Sequence, residues 1–500
     1  MSPAPSTSQT TDTANKVLSG QQKQERLALV AGLLLLGFLY FTTTPVWDDH
    51  FLFSYLEQTP FSQLMNSPVG LGDVGDGYYR PVSMILMKLG GGAGAVHLLI
   101  LLFHMVTTWL VYQLTNQNWL MAMLFGLHPM CSEILGWSSA LPDAAATFFS
   151  AIALFAIHKK QAGLAFLTAS LALLSKENAL VLIALLAVFY KPRLSSIGAI
   201  FLYFSIRFLL VGTTTVPFEM DRIFAGCKGI LWLLGSSMFP FTVTAVRDIW
   251  HVTALEIGLG IAVVTFAGYL FTQGQRQQKL GAILWIMAPV IALPTIASSH
   301  LAAERYLYLG IFGMALALSA IRFPAKTTPF VGLLLAVVSI PIHYQQSRAW
   351  QSDIALFSQA TKALPNSSYS HHLLGFAYLR ENDFKQAASS FERGLQLEHS
   401  YPTERLLLIQ SLTLSGNPEK ALQFAEDGPK TDLTADYLVW WGRAAYETGQ
   451  QSKAWQIWQP LLKINQDKTL TVLDGPPWFR AYLREAIRQR NAQKKPAPQE

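Results

Sequence analysis

Charge is what this chain has least of. Asp, Glu, Lys and Arg make up 14% of its 500 residues, hydrophobic residues make up 51%, and the mean hydropathy is +0.30. A soluble domain carries about 25% charged residues. The balance excludes an ordinary soluble protein and implies apolar surface hidden in lipid. Cysteine is almost absent too. Cys131 and Cys227 are the only two, in no metal-ligand spacing, and whether they pair stays open. The net charge of +6 comes without any basic run long enough to track a phosphate backbone, so nothing points to a nucleic-acid partner. A small-residue cleavage site is also missing after the first apolar run, which therefore reads as an uncleaved membrane helix instead of a removable leader.

What is present is apolar, aromatic and helical in pattern. Residues 1–26, rich in Ser, Thr, Gln and Pro, read as a disordered cytoplasmic arm. Apolar runs follow near 27–46, 95–114, 118–135, 143–158, 162–175, 177–190, 194–211, 253–272, 279–297, 305–322 and 327–345, about eleven spans in all, some needing tilt or neighbours. With the N-terminus inside, alternation puts the basic clusters His158-Lys159-Lys160, Lys191 to Arg193, Arg276 to Lys279 and Arg322 to Lys326 all on the cytoplasmic side. One further apolar stretch, 229–246, would invert that order if it crossed. Residues 212–252 are therefore expected to be an external, re-entrant segment, broken at Gly235-Ser236-Ser237 and at Pro240. The membrane domain runs over 27–345.

The alternation also leaves a long first external loop, 47–94. It opens on Trp47-Asp48-Asp49-His50, two adjacent carboxylates at a bilayer edge, where like charge and nearby hydrocarbon both raise the cost of ionisation. Its Gly70–Gly77 run lacks the ligand spacing of a calcium loop. The run Val82–Leu89 has the pattern of a helix lying on the membrane surface. At the external ends of the spans stand further polar residues: Arg80, His128 with Glu133, Asp143, Lys176-Glu177, Arg207, Arg222, and Glu304-Arg305 with Tyr306 and Tyr308. Cations there oppose the positive-inside bias, and an anionic partner such as a lipid phosphate would compensate. Structural roles are open for each. Lys176-Glu177 and Glu304-Arg305 are possible neighbour pairs, His128 a helix terminator before Pro129, and Asp143 a helix-start residue after Pro142.

From Trp350 onward the composition turns soluble, and a repeat of about 34 residues appears. Leu374-Gly375, Tyr378, Ala387 and Phe391 fall on the tetratricopeptide (TPR) spacing, followed in register by Leu408, Leu412 and Ala421, then by Gly442, Ala445, Ala454 and Trp458. Phe357, Ala360 and Pro365 fit a preceding second helix. The reading is an all-α chain: a polytopic membrane domain, a TPR α-solenoid over 346–475, and a capping helix with a tail over 476–500.

The ordered set Trp47-Asp48-Asp49, Tyr79-Arg80-Pro81, Leu127-His128-Pro129 with Glu133, Asp143, Ser175-Lys176-Glu177 and Glu304-Arg305-Tyr306-Leu307-Tyr308 resembles the transmembrane-and-tetratricopeptide O-mannosyltransferases, which are GT-C glycosyltransferases. The chain departs from them in having Leu141-Pro142-Asp143 where the family has Arg-Ala-Asp. The resemblance implies an integral-membrane enzyme that moves a sugar, with inversion, from a polyprenyl-phosphate donor to a hydroxyl acceptor, with protein Ser or Thr the first choice. It implies an external aspartate as general base, Asp48 or Asp49 with Asp48 preferred. Arg305, Lys176 and Arg80 would neutralise donor phosphate, while His128, Glu133, Asp143, Glu177, Glu304 and Tyr306 would shape the sugar and acceptor site, with no metal required. The implied partners are the membrane lipid donor and a protein held in the TPR groove. The implied location is a bacterial inner membrane with the repeats in the periplasm. Two other classes compete: a non-enzymatic TPR scaffold, which needs no adjacent external aspartates, and a polysaccharide export component, whose polar residues belong at mid-membrane.

Overall fold

A computed structural model of the full chain describes residues 26–41, 44–66, 79–191, 193–210, 220–240, 243–299, 301–321, 323–324, 327–397, 403–428, 433–464, 470–472 and 477–493. Residues 1–25 of the expected arm, the Gly70–Gly77 run and the tail beyond 493 lie outside the described residues, while Arg26 begins the first described helix. Helices dominate. The described strands are two short antiparallel pairs, Arg247–Asp248 with Leu301–Ala302 and Leu462–Ile464 with Leu470–Val472. Contacts divide the chain into two compact units, Met1–Gln359 and Ala360–Glu500.

In the first unit every expected apolar run contains helix, and the helices differ in length. Among the described residues six helices are long and apolar enough to cross a membrane: Ala93–Leu114, Ser138–His158, Arg193–Leu210, Ala254–Gln273, Arg276–Ala297 and Thr328–Ala349. A seventh crossing results if Trp119–Gly126 and Pro129–Gly136, bent by 49° to one another, count as one broken span. Arg26–Tyr40, Ala162–Ser175 and Ala179–Phe189 are shorter apolar helices. The 14-residue Ala162–Ser175 is about 21 Å long against a hydrocarbon core of about 30 Å, so it does not cross unaided. Tyr308–Leu318 has 11 residues.

Two expectations about the external segments change. Pro81–Gly90 does not lie free on a surface: it buries Pro81, Ser83, Met84 and Met87, and the Ser83 hydroxyl donates to the Ser175 carbonyl at 3.0 Å. Gly235-Ser236-Ser237 does not break the chain either, because Met220–Met238 is one continuous 19-residue helix. The small residue serves close packing instead. A Cβ on Gly235 would sit 3.1 Å from the Gly260 amide nitrogen, and one on Gly260 would overlap the Leu231 carbonyl oxygen, so this helix and Ala254–Gln273 touch backbone to backbone. The helix ends just before Pro240, and the strand pair at 247–248 and 301–302 follows.

The second unit stacks helix pairs: Ser368–Arg380 with Phe384–Leu395, Glu404–Leu414 with Pro418–Glu426, and Ala435–Glu447 with Gln451–Trp458. The first helix of each pair ends in a left-handed residue, Asn382 (φ 60°), Gly416 (φ 79°) and Gly449 (φ 80°), at intervals of 34 and 33 residues. In each turn the following amide reaches back five residues, Asp383 to Tyr378, Asn417 to Leu412 and Gln450 to Ala445, the Schellman closure of a helix C-terminus. Packing repeats as well. A Cβ on Gly375 would meet the Phe391 ring at 2.6 Å, and one on Gly442 would overlap Trp458. Pro477–Gln493 follows, burying Phe479 and Leu483 in the same core.

Candidate active site

Several helix junctions of the first unit converge on one cleft of about 180 Å³. Asp48 reaches it from the start of Asp49–Gln58, Arg80 from the start of Pro81–Gly90, and Asp143 from the first turn of Leu141–His158. Lys176 and Glu177 lie between Ala162–Ser175 and Ala179–Phe189, and Arg305 and Tyr306 lie in the 3₁₀ turn before Tyr308–Leu318. Ala288, Ile291 and Ala292 give the cleft one apolar wall.

Each cation carries a carboxylate from a distant part of the chain. Arg80 meets Glu177 as a fork, Nε to Oε2 at 3.0 Å and Nη2 to Oε1 at 2.5 Å. Lys176 donates to Asp143 Oδ2 at 2.6 Å, and Asn178 donates to the other oxygen at 3.2 Å. Arg305 is bound by Glu133, whose Oε2 accepts the Arg305 backbone N–H at 2.8 Å and whose Oε1 accepts from the guanidinium. The same guanidinium lies over the rings of Trp137 and Tyr306, at 4.8 and 4.9 Å. The neighbours along the chain are thus not each other's partners: Lys176 pairs with Asp143 and Glu177 with Arg80.

The two adjacent aspartates separate. Asp48 is exposed and lines the cleft; its carboxylate does not cap the helix it begins. Asp49 is fully buried and does not line it. Its Oδ1 accepts from the Ser139 N–H at 2.8 Å and hydroxyl at 2.5 Å, and its Oδ2 accepts from the Val46 N–H at 3.3 Å. Asp49 lies outside the membrane-length helices. Burial pushes its carboxyl up to about 7, against the hydrogen bonds from Ser139 and Val46, with a small push from Asp48. Trp47, just before them, holds φ at +55°, a region bulky residues rarely enter. Asp353 fixes it there: Oδ1 accepts the Trp47 N–H at 2.7 Å, and Oδ2 lies 3.4 Å from His50 Nε2. The Trp47 ring stacks on Trp137 at 5.0 Å.

Four expected site residues stand behind the cleft and do not line it: Asp49, His128, Glu133 and Glu304. Glu304 accepts the Thr244 N–H at 2.6 Å and the Ser132 hydroxyl at 3.4 Å, so it ties down the turn that carries Arg305. His128 accepts the Met130 N–H on Nδ1, so Nε2 carries the proton and donates to the Ser237 carbonyl at 2.9 Å. That is the helix-terminator role. Neither Arg207 nor Arg222 lines the cleft.

The break at Leu127-His128-Pro129 leaves backbone carbonyls to be satisfied inside the protein. Two histidines do this. His104 Nε2 donates to the Gly126 carbonyl at 3.0 Å while Nδ1 accepts from Tyr308 OH at 2.8 Å. His343 Nε2 donates to the Leu127 carbonyl at 3.3 Å while Nδ1 accepts from Tyr40 OH at 3.0 Å. Sequence reasoning passed over Tyr40, His104, His343, Trp137, Ser139, Asn178 and Asp353. The signal for His104 and His343 was there, an ionisable residue inside an apolar run.

Among the described residues no group of three or more His, Cys, Asp or Glu is placed to hold a metal ion, and both cysteines are free thiols. Compared with known proteins, the chain matches no protein-family model, and no curated protein or solved structure matches it significantly.

Proposed function

We propose that the cleft is the active site of an integral-membrane glycosyltransferase of the GT-C kind, which moves a sugar from a polyprenyl-phosphate donor to a hydroxyl acceptor. The observation that carries this reading is an exposed carboxylate, Asp48, at the rim of a membrane-edge cleft whose other charged groups are Arg80, Lys176 and Arg305 with their acidic partners. In the reaction Asp48 takes the proton of the acceptor hydroxyl, whose oxygen forms a bond to the anomeric carbon from the face opposite the phosphate. The anomeric carbon–oxygen bond breaks, the electron pair leaves with the lipid phosphate, and the configuration inverts. A carboxylate is a competent base for a hydroxyl in such a site. Preformed cations stabilise charge growing on the leaving oxygen without reorganising. Asp49, buried on Ser139, positions the Asp48 turn and takes no proton from the acceptor. Glu133 and Glu304 orient Arg305, and His128 holds the broken helix that carries Glu133.

The helix pairs of the second unit read as tetratricopeptide repeats, on the recurring left-handed turn and the glycine-to-aromatic contacts. In this reading the shorter apolar helices complete about eleven crossings, tilted or supported by neighbours. The N-terminus is cytoplasmic, and the cleft and repeats face the outside of a bacterial inner membrane. One observation favours a purely structural network: every cleft cation already has a carboxylate.

A density map of the full chain with polyprenyl phosphate bound separates the two. Phosphate oxygens within hydrogen-bond reach of Arg305, Lys176 or Arg80 are expected. A phosphate seated elsewhere, or an empty cleft at saturating lipid, contradicts the transferase reading.

A further inference from the structure

A second cavity, of about 470 Å³, lies between Arg26–Tyr40 and Ala93–Leu114, at the far end of the latter helix from the cleft. Its walls are Leu29, Leu33, Met105 and Trp109. Val30 and Leu34 at its rim are 52% and 62% exposed, so the groove opens sideways, toward lipid. Its head is polar. Arg26 Nε donates to Tyr112 OH at 3.0 Å, and Nη2 donates to Gln117 Oε1 at 3.4 Å. Gln117 sits in the left-handed region (φ 62°), directly after Asn116 (φ 56°), and its N–H is pinned to the Tyr112 carbonyl at 2.8 Å. Asn116 and Gln117 close the helix C-terminus by the same five-residue reach-back seen at Asn382, which fixes where the Gln117 side chain begins. A guanidinium has more donors than these two bonds use, so the head of an apolar groove presents a cation with donors to spare.

We propose that this groove binds an anionic phospholipid, its acyl chain along Leu29, Leu33, Met105 and Trp109 and its phosphate on Arg26 and Gln117. Basic pockets between membrane helices recognise anionic headgroups in this way. The Ala93 end of the helix touches Ser138, beside the cleft. Its 22 residues span about 33 Å, against a core of about 30 Å, so groove and cleft border opposite leaflets. The groove is therefore not the seat of the sugar donor. A neutral lipid fits the apolar walls equally well, and the headgroup charge is what the site distinguishes.

The test uses the full chain in phosphatidylcholine vesicles doped with phosphatidylglycerol that carries a diazirine on one acyl chain, with adducts mapped by mass spectrometry. Adducts are expected to concentrate on residues 29–34 and 105–109, several-fold above those from a diazirine phosphatidylcholine at the same fraction. Arg26→Gln should bring the phosphatidylglycerol yield down to the phosphatidylcholine level with the circular dichroism unchanged. Val30→Trp, which fills the groove and keeps the charge, should lower both yields. Equal labelling by the two lipids, or phosphatidylglycerol adducts undiminished in Arg26→Gln, overturns the proposal. Sugar transfer plays no part in these yields, so a failure of the glycosyltransferase reading would leave them unchanged.

Discussion

Glu133 and Arg305, 172 positions apart, are joined twice: one carboxylate oxygen holds the Arg305 backbone and the other holds its guanidinium. Breaking a buried pair by removing one partner costs about 3–5 kcal/mol, because the remaining charge is left without compensation. Glu133→Gln should therefore lower stability by that order, read as the melting temperature in detergent. Arg305→Lys should also destabilise, since a lysine cannot stack between Trp137 and Tyr306 while reaching Glu133. An unchanged melt in both variants would mean the pair is not held in solution.

The Lys176–Asp143 pair is equally buried, with side chains 8% and 2% exposed. Lys176→Met alone leaves the Asp143 carboxylate the Asn178 hydrogen bond and the more distant charge of Arg305. Asp143→Asn alone strands the ammonium. The double variant should be more stable than the sum of the single losses, with a coupling of about 1–3 kcal/mol in a double-mutant cycle. Additive losses would show the two groups do not interact.

Asp49 sets a pH dependence whose sign is fixed. Its folded carboxyl, at about 7, lies above the ordinary carboxylate value of 3.8. The folded state therefore holds a proton that the unfolded state has released, and this contribution is full below about pH 4 and lost as pH rises through about 7. Melting measured across that window should fall with pH in the wild type, and the fall should be reduced in Asp49→Asn. Identical pH profiles for the two proteins would contradict the raised carboxyl of the buried Asp49.

Gly136 offers a packing test. A Cβ there would lie 2.5 Å from Trp350 Cγ, and Trp350 stacks on Trp137 beneath Arg305. Gly136→Ala should cost about 1–3 kcal/mol, the usual range for overpacking. Gly94→Ala, with nothing within 4 Å of its Cβ, should be neutral or slightly stabilising. Equal effects of the two would mean Trp350 is not packed on this helix.

These partners explain what sequence could and could not convey. The helix pairs of the second unit were legible because the Gly375–Phe391 contact and the turn at Asn382 recur over short, fixed spacings. Apolar content likewise located nearly every membrane helix. Taken alone it ran 118–135 together as one span, and the signal for the bend was Pro129 after His128, read as a helix terminator. Residue order left neighbour pairing open at Lys176-Glu177 and Glu304-Arg305, and only the fold decides it. Each of these side chains instead answers a group brought near by the fold. The division between Asp48 and Asp49 was also hidden, because it depends on Ser139 offering a backbone N–H and a hydroxyl from 90 positions away.

The most direct measurement uses the purified full chain with polyprenyl-phosphate mannose and a Ser/Thr-rich peptide, following hexose addition by mass. The wild type should add hexose. Asp48→Asn should bind polyprenyl phosphate as the wild type does while transferring about 10²–10⁴-fold more slowly, the usual loss of a general base. Asp49→Asn should retain far more activity. Full transfer by Asp48→Asn would contradict the account, as would a wild type that neither binds the lipid nor transfers the sugar.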